Sequence, residues 1–389
     1  MVRLPVFLLL LVAAAALPAW AQIQPRSLQT IDDPRGEFSL SLHFSGSVNV
    51  SFRDVGTLAT TRSIGDVESE ANRSYDDGYV AIDARRASDG SDLPDDGRTN
   101  TWRYGYENQA VDQDGDGTVD GIAFHRYETR SDGAFVEADS VEVPGIDFDY
   151  AYAFGKFGGR LRNKSPRATW GGSVGLSLTS VNAKSDGSIL TTLITVEDRY
   201  TLDGAALPPP PYTAPSSSTV TTVDSSGNTI TNTVDTTTLL GNRPYLRSFY
   251  EEPEAGQVDG FWQVRGGAAT ARAGLWARFR PHERIGLRVG AGLTATFLGL
   301  EMRYDEWLVD DEISSQLRYS NKTSPDKWSY FGAYGSIDAE WWLTGSSALF
   351  VGATYQKVDE DLAIELDGRT ADINLGSGTG FRIGITKLF

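Results

Sequence analysis

The stretch that most constrains this chain is Phe38 to Arg53, FSLSLHFSGSVNVSFR. Phe38, Leu40, Leu42, Phe44, Val48, Val50 and Phe52 share one parity, and Ser39, Ser41, His43, Ser45, Ser47, Asn49, Ser51 and Arg53 share the other. Successive side chains of a strand point to opposite faces, so this is one extended segment with an apolar and a polar side. Strands of globular sheets average about 5–6 residues, too few to use such a run. A membrane-crossing strand needs about 9–11 tilted residues and projects beyond the bilayer, which fits.

The pattern recurs. Six more candidate strands lie near 145–162, 169–183, 259–279, 284–303, 328–343 and 348–359; with 37–53 and 373–389 they make eight, ten being the alternative count. Alternation is cleanest in 284–303, where Ile285, Leu287, Val289, Ala291, Leu293, Ala295 and Phe297 oppose Gly286, Arg288, Gly290, Gly292, Thr294 and Thr296. Connections alternate between short (Asn163–Ala168, Arg280–Glu283, Thr344–Ser347) and long (54–144, 184–258, 304–327, 360–372). The long ones hold 41 of the 52 acidic residues but only 16 of the 35 Lys and Arg. An apolar band on lipid accepts few carboxylates, and short turns on one side with long loops on the other are the topology of a transmembrane up-and-down antiparallel β-barrel. Trp170, Trp276, Trp341 and Trp342 near the short turns, and Trp262, Trp307 and Trp328 near the long loops, are expected to form two interfacial girdles.

The two ends agree. Residues 1–21 (Arg3, the apolar run Val6 to Leu17, then Ala19-Trp20-Ala21) read as a cleavable secretory signal, followed by a periplasmic segment 22–36 and the barrel 37–389. In GFRIGITKLF, Phe381, Ile383, Ile385 and Phe389 alternate with Arg382, Gly384 and Thr386. This ending resembles the C-terminal strand of bacterial outer-membrane β-barrels, which implies that Phe389 is the signal read by the barrel-assembly machinery. The implied location is the bacterial outer membrane with both termini periplasmic, in contact with its lipid and lipopolysaccharide. The absence of cysteine excludes disulfide scaffolds and thiolate sites, and a net charge of −17 argues against nucleic acid as partner. Oligomeric state is left open.

Eight strands enclose a space about wide enough for side chains. The inward parity includes Arg272, Arg288, Asp338, Glu340 and Arg382, with His43 on the first strand. Isolated charges there are costly, so an Arg–carboxylate network across the lumen is expected. The inward glycines Gly171, Gly175, Gly266, Gly274, Gly290 and Gly292 permit tight coiling. The arrangement is similar to the small OmpA-type and OmpW-type barrels.

In the loop 54–144, Asp112, Asp114, Asp116 and Asp120 with Gly115 and Gly117 resemble the first part of an EF-hand-type Ca²⁺ loop, although its twelfth position is Ala123. No cofactor is expected apart from Ca²⁺ at this loop, the alternative being a solvated acidic Asp-Gly turn linking two strands. Thr101–Tyr106 and Ile122–Glu128 are read as a hairpin above the barrel, as is Thr219–Val234 after the Pro208–Pro211 run. Gly171–Gly175 matches a nucleophile elbow by letter, yet no helix follows, and Gly376–Gly380 likewise lacks one. His43, His125 and His282 fall in three different places without an obvious serine or carboxylate, so no enzyme is expected. The functional expectation is a structural or cell-surface interaction role through acidic outer loops, the alternative being a narrow channel for small solutes.

Overall fold

A computed structural model describes residues 35–86, 90–91, 94–138, 141–157, 168–223, 226, 228–309, 317–324, 326–357, 361–374 and 378–389. Eight long strands dominate it: β1 (Gly36–Arg53), β2 (Val141–Phe157), β3 (Ala168–Thr201), β4 (Leu246–His282), β5 (Ile285–Leu308), β6 (Asp326–Trp342), β7 (Ser347–Lys357) and β8 (Gly378–Leu388). Each pairs antiparallel with the next, and β8 pairs back onto β1. The all-β antiparallel sheet therefore returns to its first strand. Its wall is uneven, with 11 residues in β7 and 37 in β4, so β3, β4 and β5 stand high above the rest.

The expected strands are present, but the loop boundaries are not as read. Residues 184–201 and 246–258 continue β3 and β4, 304–308 continue β5, and 361–374 form a hairpin of Asp361–Leu366 with Arg369–Asn374. The expected extensions 158–162 and 358–359, and most of the turn Asn163–Ala168, lie outside the described residues.

The alternation reverses its meaning partway up the wall. On β5 the outward residues are Ile285, Leu287, Val289, Leu293 and Phe297, all exposed, opposite inward Arg288, Thr294 and Thr296. From Leu298 upward the inward residues are the buried Leu298, Leu300, Met302 and Tyr304, and the outward ones are Glu301, Arg303 and Asp305. β3 does the same, passing outward from Val174, Leu176 and Leu178 to Asn182, Lys184 and Asp186, while Val181, Ala183 and Ile189 turn inward. An apolar outside below and an apolar inside above is the pattern of a wall that leaves one solvent for another along its length.

β1 shows how this is achieved on a strand whose apolar parity never changes. Below, Phe38, Leu40 and Phe44 face out while Glu37, Ser39 and Ser41 are buried; above, Val50 and Phe52 are buried. The register to β2 shifts between Ser45 and Val48, a bulge, and one extra residue moves every later side chain to the other face. The expectation that Phe38 to Phe52 share one face is thus corrected.

The belt of exposed apolar side chains runs around all eight strands, including Phe148 and Phe154 on β2, Leu275 on β4, Phe331 at 84% exposure on β6, Leu349 on β7 and Ile383 on β8. A water-soluble domain rarely exposes a contiguous apolar patch larger than a few hundred Å². Above the belt, a second cluster (Tyr75, Trp102, Tyr104, Ile122, Phe124, Val196, Tyr200) forms the core of a head that joins described residues between Ile64 and Phe124, the tall end of β3, and Leu202, Ala214 and Leu240 beyond it. Trp102–Tyr104 pairs there with Gly78–Val80 and Tyr212–Thr213, and Gly121–Arg130 pairs with β3. The expected hairpin between those two segments therefore does not form; each pairs elsewhere. Ser217–Val223 and Thr229–Asp235 do pair as a hairpin.

Candidate functional site

The lower lumen collects the charges. Arg382 donates to both oxygens of Asp338, at 2.7 and 2.5 Å. Arg278 donates to Glu340 at 2.8 Å and to Glu37 at 2.7 Å, and Arg288 donates to Glu37 at 2.8 Å. Arg272 lies 3.4 Å from Asp147 and 3.3 Å from Asp149, and Arg382 reaches Asp149 at 3.5 Å. The five expected lumen residues thus fall into two ionic networks, Arg272, Arg382 and Asp338 with Asp147 and Asp149, and Arg288 and Glu340 with Arg278 and Glu37. Sequence reasoning missed Glu37, Asp147, Asp149 and Arg278. The signal for Arg278 was available, since it shares parity with Arg272; Glu37 and the two aspartates follow from the same count applied to β1 and β2.

Local backbone makes room for these groups. A Cβ at Gly175 would fall onto the Asp149 carboxylate, and one at Gly352 onto that of Asp338. Trp276 and Trp342, expected in the lower girdle, point inward instead and flank the Arg278 guanidinium, each ring centre 5.2 Å from it. A cation packed on ring faces gains from their quadrupoles, more so when desolvated. Trp262 and Trp328 are inward as well, Trp262 buried and donating 2.7 Å to Glu306, so among these only Trp170, Trp341 and Trp307 keep outward positions.

Among the described residues this layer holds a cavity of about 20 Å³ between Arg272, Arg288, Tyr334, Asp338 and Arg382. That is room for roughly one water. Above it lies the apolar cluster of Phe52, Val181, Val264, Leu300, Met302 and Ile373. A cap follows: Arg369 of the hairpin donates at 2.6 Å to the fully buried Glu306 and at 2.7 Å to the Thr57 carbonyl, tying the hairpin across the top.

A charged lumen inside a belt of exposed apolar side chains suits a wall with hydrocarbon outside it. This is the build of a membrane-spanning β-barrel. No family model and no curated protein sequence matches the chain. Among solved structures it is similar to the outer membrane protein OprG from Pseudomonas aeruginosa (9% identity, 92% of this chain and 97% of that one, TM-score 0.28). It is also similar to Ail, the attachment invasion locus protein of Yersinia pestis (9%, 91% and 99%, TM-score 0.24), and to the outer membrane protease OmpT from Escherichia coli (9%, 94% and 99%, TM-score 0.24). At these scores the likenesses carry no argument, and fold and site stand on the pairings and side chains alone.

The histidines are better partnered than expected. His43 Nδ1 lies 3.3 Å from Asp147 and 3.3 Å from Ser177. A serine–histidine–aspartate relay needs the acid and the serine on different ring nitrogens; here both meet Nδ1, inside the Asp147 network. His125 in the head approaches Asp77 at 2.7 Å and Glu197 at 3.4 Å, and its ring stacks on Tyr127. Burial pulls its pKa down, but Asp77 and Glu197 outweigh that and hold it above the ordinary 6.5. A raised folded value stabilises the head fully below the unfolded pKa, and that stabilisation is lost as pH rises through the folded value. Amide exchange over Gly121–Arg130, corrected for intrinsic rates, is therefore expected to be slower at about pH 6 than at about pH 8. His125→Gln should remove the difference; an unchanged pH dependence in that variant would assign it elsewhere.

Of the expected calcium ligands, Asp112, Asp114 and Asp116 converge, with one oxygen of each within 4.8 Å of the others. Asp112 also accepts the backbone N–H groups of Gly115 and Gly117 at 2.7 and 2.8 Å. Asp120 turns away, accepting Gln113 N–H at 2.8 Å.

Proposed function

We propose that the eight long strands each cross the bacterial outer membrane once, with the head and acidic loops outside, and that the protein displays a surface and does not conduct solutes. The charged lumen carries this reading: among the described residues four guanidinium groups and five carboxylates pair there in two networks, beneath an apolar layer and the Arg369–Glu306 cap. A solute path would need an open, wetted interior. The periplasmic placement of both ends is supported by Gly36 and Phe389, which exchange backbone hydrogen bonds of 3.2 and 3.0 Å at the end away from the head. Short turns and termini on the inner side, tall walls on the outer, follow the general pattern of such barrels.

The head supports a surface role. Asp198 is fully buried and held by both arms of Arg247 at 2.6 Å and by the Tyr75 hydroxyl at 2.5 Å, so the outer segments are tied into a fixed platform. From it the Ser/Thr-rich hairpin Ser217–Asp235 projects. Purified protein in planar bilayers is expected to give no steady single-channel openings. Discrete, reproducible conductance steps would transfer the assignment to a narrow channel.

A further inference from the structure

In the head, β4 climbs past one of its partners. β5 pairs with it over 258–282, and Val309 adds one backbone bond to Gln257. Above that height 246–252 is held on one side only, by 193–199 of β3. The upper sheet therefore runs in the order 246–252, 193–199, Gly121–Arg130 and Ala110–Val111.

The long strands at its two sides are finished in opposite ways. Along Gly121–Arg130 every second residue is closed off. The His125 N–H donates 2.9 Å to the Asp77 carboxylate and the Tyr127 N–H 2.7 Å to that of Asp76. The Asp76 N–H donates 2.8 Å to the His125 carbonyl, and Thr129 exchanges backbone bonds of 2.9 and 3.2 Å with Leu58. Successive residues of an antiparallel ladder turn their backbone groups to alternate sides. His125, Tyr127 and Thr129 turn theirs away from β3, so Arg126 and Glu128 bond to it at Val196 and Ile194. Thr195 and Glu197 then bond onward to Tyr250 and Ser248. Arg247, Phe249 and Glu251 are left turning N–H and C=O groups outward, and among the described residues no strand pairs with that edge. An uncapped edge is a template for another strand.

The side chains on this bare edge describe a partner. Phe249 is 69% exposed, and Leu246 and Tyr250 beside it are exposed too. Glu252 and Glu254 make no ion pair among the described residues, and Glu251 shares the exposed Arg130 at 3.3 Å. Arg247 on the strand and Arg199 opposite Leu246 are held by Asp198 and Glu197, so the charge left over is negative. Pro253 and the register shift between Thr191 and Leu193 set the lower limit of the stretch.

We propose that 246–252 is a docking edge for an extended, basic polypeptide segment. The segment adds a strand to β4, with apolar residues against Leu246, Phe249 and Tyr250 and lysine or arginine against Glu251 and Glu252. Main-chain bonds give such a contact its affinity and the side chains its choice of partner. The proposal deepens the display role argued above, and rests on it only for the side of the membrane from which the partner comes.

The probe is an end-blocked eight-residue peptide of alternating valine and lysine, added to the purified full chain in zwitterionic detergent. At saturation it should slow amide exchange at Arg247, Phe249 and Glu251 by at least about tenfold and leave Ser248 and Tyr250, already bonded to β3, unmoved. Phe249→Pro removes an outward N–H and no bond to β3. It should keep the slow exchange of Ser248 and Tyr250 and bind the peptide about tenfold more weakly. Glu252→Lys leaves the backbone whole; it should weaken the same peptide about fivefold and favour one of alternating valine and glutamate. Exchange at the three amides unmoved by peptide, or unchanged binding in both variants, would overturn the proposal. So would equal binding of the fully N-methylated peptide, which keeps the charge and lacks the donors. Protection of the three amides that rises with protein concentration alone would make a second copy the occupant and overturn the peptide. A peptide bound by the purified chain but shut out from intact bacteria carrying it would overturn the outward placement of the head, not the edge.

Discussion

Arg382→Met is expected to destabilise the folded protein by about 3–5 kcal/mol. Asp338 is almost fully buried and receives two of the shortest hydrogen bonds in the lumen from this one side chain. Removing the guanidinium leaves a buried carboxylate short of partners, since Gly352 packs against it from one side and the adjoining cavity of about 20 Å³ has room for roughly one water. Replacing both partners by apolar groups of similar volume should recover most of the loss, because neither charge is then stranded. Arg382→Met with Asp338→Leu is thus expected to be more stable than Arg382→Met alone. Asp149, which also touches Arg382, keeps Arg272 in either variant. Urea unfolding in lipid vesicles measures all three proteins. A single variant within about 1 kcal/mol of wild type would mean that the lower lumen is wet.

Leu293→Arg is the second large effect, expected at about 2–4 kcal/mol of destabilisation in a bilayer. Leu293 lies near the middle of the outward row from Ile285 to Phe297 and is 71% exposed. Its sign carries the information. In water, a charge at so exposed a position falls within about ±0.5 kcal/mol of neutral; only hydrocarbon makes it costly. Higher on the same strand face Arg303 already carries a guanidinium at an exposed position, as a polar surrounding allows.

Much of this was legible before any coordinates. Period-2 alternation located all eight long strands, since an amphipathic strand must present its two faces to two different media. The inward parity of four of them, joined to the cost of an unpaired buried ion, was enough to bring Arg272, Arg288, Asp338, Glu340 and Arg382 into ion pairs. What parity does not contain is which side is which. Val50 and Phe52 continue the apolar parity of Phe38 and Leu40, yet a bulge between them and a change of surroundings put them in the core. The tryptophans show the same gap: proximity to a turn placed Trp276 and Trp342 at the right height, but their even numbers on β4 and β6 point them inward to Arg278.

The loops were the least legible part for a related reason. Where β3 and β4 rise past the belt, their outward residues turn polar and their alternation looks like ordinary loop composition, although Lys184 to Leu190 is paired residue by residue with Gln257 to Gln263. The head core draws Trp102 and Tyr104 from one segment, Ile122 and Phe124 from another and Val196 and Tyr200 from a third. No local window holds such a cluster. Its hydrogen-bonded acids, Asp198 and Asp77, are likewise distant in sequence from the Arg247 and His125 that explain them.

The central claim is that hydrocarbon bathes the lower outer wall and water the upper. The chain contains no cysteine, so single cysteines introduced along β5 can carry a spin label without background. In lipid vesicles, labels at 285, 287, 289, 293 and 297 should collide with dissolved oxygen and stay shielded from an aqueous nickel reagent, and labels at 301 and 303 should show the reverse. Nickel accessibility that is high at every odd position from 285 to 303 would contradict the account.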